Sequence, residues 1–174
     1  MPISPTTSSN RCLDDVKGRA SFDATGVYRY TLLREWGTGP RLGMVLLNPS
    51  TADAERNDPT VRRCIGYAMD WGFGSLEVVN LFALRSTDPS ALRTHPSPQG
   101  PLNTRAIVRC ADRSDLIVTA WGNHGRVLEQ EARILRALRR HTLHHLGLTS
   151  AGCPRHPLYL PKSLEPEPWH VDLD

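Results

Sequence analysis

Apolar residues in this chain gather in short continuous runs separated by polar, Gly- and Pro-rich segments. Residues 42–47 read LGMVLL, 76–81 read LEVVNL and 116–120 read LIVTA. Each run is too short for a helix, and none alternates, which is the signature of strands covered on both faces. Residues 27–36 form a further strand-like run, and Gly37-Thr38-Gly39-Pro40 is a turn signal. The first two strands therefore read as a hairpin feeding a central strand. Residues 144–148 predict a short last strand, and the Pro-rich tail beyond Gly152 predicts loop.

Helical periodicity fills the gaps between these runs. Asp58-Pro59 is capping chemistry, with Val61, Ile65, Ala68 and Met69 at helical spacing and Gly72 as the stop near Trp71. Residues 102–111 predict a second helix. Residues 126–140 predict a third, with Val127, Ile134, Leu135 and Leu138 inside. Residues 86–101 are rich in Pro, Ser and Thr and read as a long loop. Strands alternating with helices require parallel pairing through crossovers. The expected fold is a three-layer α/β sandwich with a central, mostly parallel four-stranded sheet plus an N-terminal hairpin strand. Residues 1–20 read as a flexible arm and 21–174 as one domain, a size that suits a single core.

Composition changes this picture little. No run approaches the ~20 apolar residues a membrane helix needs, and the polar start is no secretory signal. The reading is of a cytoplasmic monomer with no membrane contact. Cys12, Cys64, Cys110 and Cys153 are scattered with no C-x-x-C pair, so no zinc site or iron–sulfur cluster is expected. Net charge is only +3, but of 21 basic residues only Lys17 and Lys162 are lysine. Arginine favours phosphate and base stacking, although a GC-rich genome yields the same bias.

In parallel sheets, ligands bind beyond the carboxyl ends of the strands. The first such loop carries Asn48-Pro49-Ser50-Thr51-Ala52-Asp53 and then Asn57-Asp58, residue types shared by turns, caps and polar sites. Asn80 lies inside apolar Val79-Asn80-Leu81-Phe82 and must find hydrogen-bond partners there. The third loop is Trp121-Gly122-Asn123-His124-Gly125, whose glycines permit close approach to a phosphate. The fourth is Gly152-Cys153-Pro154-Arg155-His156-Pro157-Leu158-Tyr159-Leu160, with His156 beside a proline-stiffened apolar tip. His95-Pro96-Ser97-Pro98 imitates that tip, but it precedes a helix and so falls in the wrong topological place.

Asn-Pro-Ser after one strand, Asn ending the next and His-Pro before an apolar tip resemble the uracil-DNA glycosylase superfamily. The stretches MVLLNPSTADAERNDPTVRRC, VVNLFALRST, VTAWGNHG and GCPRHPLYL also resemble a bacterial and phage family known only as a domain of unknown function, number sixteen forty-three. The glycosylase resemblance implies that fold, no cofactor and DNA as partner. It implies that Asn48 positions the attacking water; beside that resemblance, Asp53 or Asp58 could supply the missing carboxylate, Asp58 being also the expected helix cap. Asn80 would read the flipped base and His156 would stabilise the departing base. Leu158 and Tyr159 would fill the gap in the stack, and Ser50, Asp58, Arg155, Gly122 and Asn123 would line the substrate. Donors preorganised toward developing charge contribute ~3 kcal/mol each, and the base must first leave the helix. The first motif has Asn48 where the most active uracil enzymes have aspartate, and no serine follows His156. That points away from ordinary uracil excision and toward a modified or mismatched base, with phage modified DNA as a candidate in host defence. Two alternatives stand beside it: a non-catalytic nucleic-acid or nucleotide binding module, and an enzyme on free nucleosides or nucleotides.

Overall fold

The computed structural model describes residues 15–172. Seven strands form one mixed sheet: β1 (Lys17–Phe22), β2 (Arg29–Glu35), β3 (Arg41–Leu46), β4 (Ser75–Asn80), β5 (Leu116–Thr119), β6 (Leu143–His145) and β7 (Glu167–Trp169). Their spatial order is β1-β2-β4-β3-β5-β6-β7. Strands β4, β3, β5 and β6 run parallel; β2 lies antiparallel to β4, β1 to β2, and β7 to β6. The helices are α1 (Pro59–Asp70), α2 (Ala91–Thr94), α3 (Asn103–Arg113) and α4 (Gln130–Ala137). Among the described residues no helix is long and apolar enough to cross a membrane.

The period-two geometry of the buried strands divides the core between two faces. Leu42, Met44, Leu76 and Val78 pack with Val61, Cys64, Ile65 and Ala68 of α1. Val45, Val79 and Ile117 point the other way, toward Ile107 of α3 and Ile134 and Leu135 of α4. The result is helix, sheet and helix in three layers. Helix α1 begins as its sequence predicts: Oδ1 of Asp58 accepts from the Val61 N–H at 2.8 Å, and Pro59 occupies the first turn.

The sheet is wider than the sequence predicts, and the expected hairpin between residues 27–36 and 42–47 is absent. Strand β4 lies between β2 and β3. The segment after β2 passes over the start of β4, where Trp36 and Gly37 donate to Gly74 O and Gly74 donates to Pro40 O. A side chain at Gly74 would meet Thr38 O at 2.7 Å, so glycine is required at this crossing. The true hairpin partner of β2 is β1, whose half-exposed, polar residues hide it from a hydrophobic pattern. Lys17–Ala20 of the expected arm thus belong to a strand; residues 1–14 lie outside the described residues.

The helix expected over 126–140 is also divided. A 3-10 segment, Asn123–Glu129, precedes α4, and the chain breaks at Leu128 and Glu129, both with positive φ. Buried Gln130 supplies the reason, because its Nε2 donates to Leu81 O at 2.8 Å and fixes the start of α4 against β4. Helix α2 interrupts the expected 86–101 loop. Strand β7 interrupts the expected tail, its Pro168 being tolerated at the sheet edge.

Candidate functional site

The four parallel strands end on one rim, and antiparallel β2 begins there. Hydrogen bonds tie the rim loops together: Ser86 N–H to Pro49 O, Leu81 N–H to Leu46 O, and Gly122 N–H to Pro154 O at 2.7 Å. Sequence positions 29, 48, 80, 122 and 156 are thereby carried to the same side of the domain.

Arg29, the first residue of β2, is 2% exposed. Its guanidinium donates to Ala52 O at 2.9 Å and to Asn80 Oδ1 at 3.4 Å. Burial lowers its pKa to about 10, against which the Asp58 carboxylate acts most strongly. Arg29 thus couples the loop after β3 to the end of β4. Asn80 is itself buried, its backbone carbonyl accepting from Asn103 Nδ2 at 2.7 Å. Its Nδ2 has no partner among the described residues.

His156 is half-buried, and desolvation holds its pKa below the ordinary histidine value, with the Asp58 charge opposing. The ring is therefore neutral at pH 7. Its Nδ1 accepts from the Leu158 N–H at 3.3 Å, so the proton of the neutral ring resides on Nε2. Gly122, in the left-handed region at φ +70°, lets the β5 loop lie beside this histidine. Asp58 is thus a helix cap whose charge also reaches Arg29 and His156.

The remaining expected residues divide by what already occupies them. Asn48 spends Nδ2 on the carbonyls of Pro49, Leu84 and Ser86, pinning the loop after β4. Asp53 closes a turn, its Oδ1 accepting from the Glu55 and Arg56 N–H groups; these bonds hold its carboxyl below the usual range. Ser50 is half-buried in that loop. Asn123 Oδ1 accepts from the Thr149 hydroxyl at 2.7 Å, joining the third and fourth loops. Arg155 is exposed, and its backbone N–H donates to Gly147 O.

Leu158 and Tyr159 lie at the mouth of a neighbouring cleft of about 540 Å³, between α1 and residues 158–162. Arg62, Arg63 and Lys162 line it, against the single carboxylate of Asp70. Tyr159 is 90% exposed and has φ +71°, an uncommon conformation for a residue with a Cβ. Asn48, Asn80 and His156 do not line this cleft.

Sequence reasoning missed Arg29, Asn103 and Gln130. No local signal marked Arg29, because the run that holds it also carries Arg34 and Glu35 and one more charge does not stand out. His95, the discounted histidine, caps α2 and packs edge-on against Tyr28.

These features define an α/β domain with an arginine- and amide-lined centre at the carboxyl ends of its parallel strands. The chain belongs to the family described as "Protein of unknown function (DUF1643)", whose model matches residues 29–158. That span opens on Arg29 and closes two residues past His156. Neither a curated protein nor a solved structure matches the chain.

Proposed function

We propose that this protein is a DNA glycosylase-like hydrolase that cleaves the N-glycosidic bond of a modified or mismatched base after flipping it from the helix. The observation that carries the reading is the neutral His156, whose Nδ1 is occupied by the Leu158 N–H and whose Nε2–H is free to donate. A neutral donor stabilises an anion forming on a base oxygen without first surrendering a proton. In the reaction, water adds to C1′ and the electron pair of the C1′–N bond leaves with the base. His156 bonds the base oxygen that takes up the charge, and the proton released by water neutralises the base. Asn48 has only Oδ1 left to orient that water. Asn80 meets the base edge, and the flipped nucleotide's place in the stack is taken by Leu158 or Tyr159. The exposure of Tyr159 supports a duplex substrate over a free nucleotide, which needs no wedge.

The basic cleft beside that tip supplies phosphate contacts for the strand. Phage DNA with modified bases is the substrate class this reading favours, in a protein acting inside the cell. A second reading is favoured by Asn48 and Asp53, both committed to holding loops: a module that binds nucleic acid on the same rim without turnover. Incubation with a panel of modified-base and mismatched duplexes, phage genomic DNA included, followed by abasic-site detection, separates the two. Abasic sites establish the hydrolase; tight, salt-dependent binding without them establishes the module.

A further inference from the structure

The cleft between α1 and residues 158–162 has the build of a ligand site in its own right, beyond the phosphate contacts proposed above. Pro59, Arg62, Arg63, Gly66, Tyr67 and Asp70 line it from α1. Their spacing of three and four residues sets them along one face of that helix. The opposite wall is tied to the same helix: the Tyr67 hydroxyl donates to Pro161 O at 2.7 Å, and Trp71 Nε1 donates to Leu164 O at 3.0 Å. The cleft is therefore pre-formed. Its volume of about 540 Å³ falls within the roughly 300–1,000 Å³ of small-ligand sites.

Gly66 lies exposed in the interior of this 12-residue helix, where only proline is less favourable than glycine. Its φ is not positive, and a Cβ there would meet nothing within 4 Å. Neither the backbone nor packing within the chain demands glycine at this position. What the missing side chain does is leave the helix wall of the cleft open. The charge of the cleft is one-sided as well. Arg62, Arg63 and Lys162 form no ion pair among the described residues, not even with Asp70 on the same lining. The Arg63 guanidinium lies 6.0 Å from the centroid of the Tyr67 ring, and Leu158 and Tyr159 add apolar surface at the mouth. A bare anion would use the cations alone. A ligand that also uses the apolar walls and the glycine gap has a flat apolar part joined to an anionic group. We propose that this cleft binds one unpaired nucleotide, with its base laid over Gly66 and its phosphate held by Arg62, Arg63 and Lys162. Arginine suits both parts, because it pairs with phosphate and stacks on bases. A nucleotide of an opened strand and a free nucleotide present the same chemistry to it.

Isothermal titration with deoxyadenosine 5′-monophosphate, deoxyadenosine and inorganic phosphate tests this. Wild type is expected to bind the nucleotide one to one, at least about tenfold more tightly than either fragment, and less tightly as salt rises. Gly66→Leu fills the gap with a better helix former. Its melting temperature should equal or exceed that of wild type, while nucleotide affinity falls by at least about tenfold. Gly66→Ala should move both quantities the same way by less. Arg63→Gln should weaken the nucleotide and phosphate but not deoxyadenosine. If Gly66→Leu melts lower than wild type, Gly66→Ala and Arg63→Gln carry the comparison. A short 5′-phosphorylated single strand that displaces the mononucleotide assigns the site to a strand; one that does not assigns it to a free nucleotide. Three results would overturn the proposal: binding of neither nucleotide nor strand, a fragment that binds as tightly as the nucleotide, or full nucleotide affinity in the folded Gly66 and Arg63 variants. Abasic-site formation bears on the hydrolase reading alone, because Asn48, Asn80 and His156 do not line this cleft.

Discussion

The Leu158 N–H donates to Nδ1 of His156 at 3.3 Å, so the residue at the apolar tip fixes the tautomer of the residue beside it. Base opening and base departure, on the proposed function, are thus assigned to neighbouring positions of one short loop.

If His156 acts only as charge develops on the base, His156→Ala should slow cleavage by about 10²–10³-fold. Affinity for the same duplex should change by less than about threefold, because a group used only in the transition state does not hold the ground state. Single-turnover kinetics beside equilibrium binding make the comparison. Parallel loss of both would assign His156 to binding instead.

The cleft between α1 and residues 158–162 should carry the salt dependence of DNA binding. Arg62→Ala, Arg63→Ala and Lys162→Ala should each weaken binding to all sequences alike. Each should also reduce the slope of log affinity against log salt by about 1 where that side chain contacts a phosphate. Tyr159→Ala should leave that slope unchanged and weaken duplex binding more than single-strand binding. A full set of unchanged slopes would move the nucleic acid to another face.

How much of this was legible in the sequence follows from which interactions are local. The cap at Asp58-Pro59 and the central runs of β3, β4 and β5 were readable because burial and capping leave marks on adjacent residues. Strand β1 was not, because an edge strand with one solvated face carries few apolar residues. Strand order was misread because the pairing of β2 with β4 is decided by a crossing over Gly74, some forty residues from β2 in sequence. Among site residues, Asn80 announced itself as an amide in an apolar strand. Arg29 did not, since its partners, Ala52 and Asn80, lie 23 and 51 positions away. The roles of Asn48 and Asp53 as loop anchors were equally hidden: the residue types that close turns are also those that hold water and substrate.

An ion-pair network on an interior strand of the sheet offers a stability test independent of function. Glu77 on β4 is 3% exposed and meets Arg113 and Arg41. Glu77→Ala leaves both arginines without their shared partner, but each is partly solvated and can turn to water. The expected loss is therefore about 1–2 kcal/mol, below the 3–5 typical when a charge is left fully buried and unpaired. Urea denaturation should show it, with DNA affinity per folded molecule unchanged. A stability loss below a few tenths of a kcal/mol would mean that the network contributes nothing to stability.

Acid should destabilise the fold in two windows. Desolvation lowers the pKa of both His145 and His156 from 6.5, so between the unfolded and folded values the unfolded chain binds more protons. By linkage, stability then rises with pH: this contribution is complete above about 6.5 and is lost as pH falls through the folded values. Turn-forming Asp23, Asp53 and Asp88 have pKa values lowered from 3.8 by hydrogen bonds, so their contribution is lost only below about 4. Thermal melts between pH 8 and pH 5 should show the first decline. Each histidine uses Nδ1 to accept a backbone N–H, from Gly147 and Leu158 respectively, so asparagine can keep an acceptor there without titrating. The double variant His145→Asn, His156→Asn should therefore melt at a nearly constant temperature over that range, while still falling below pH 4. A decline as steep as that of wild type would place the upper window on other groups.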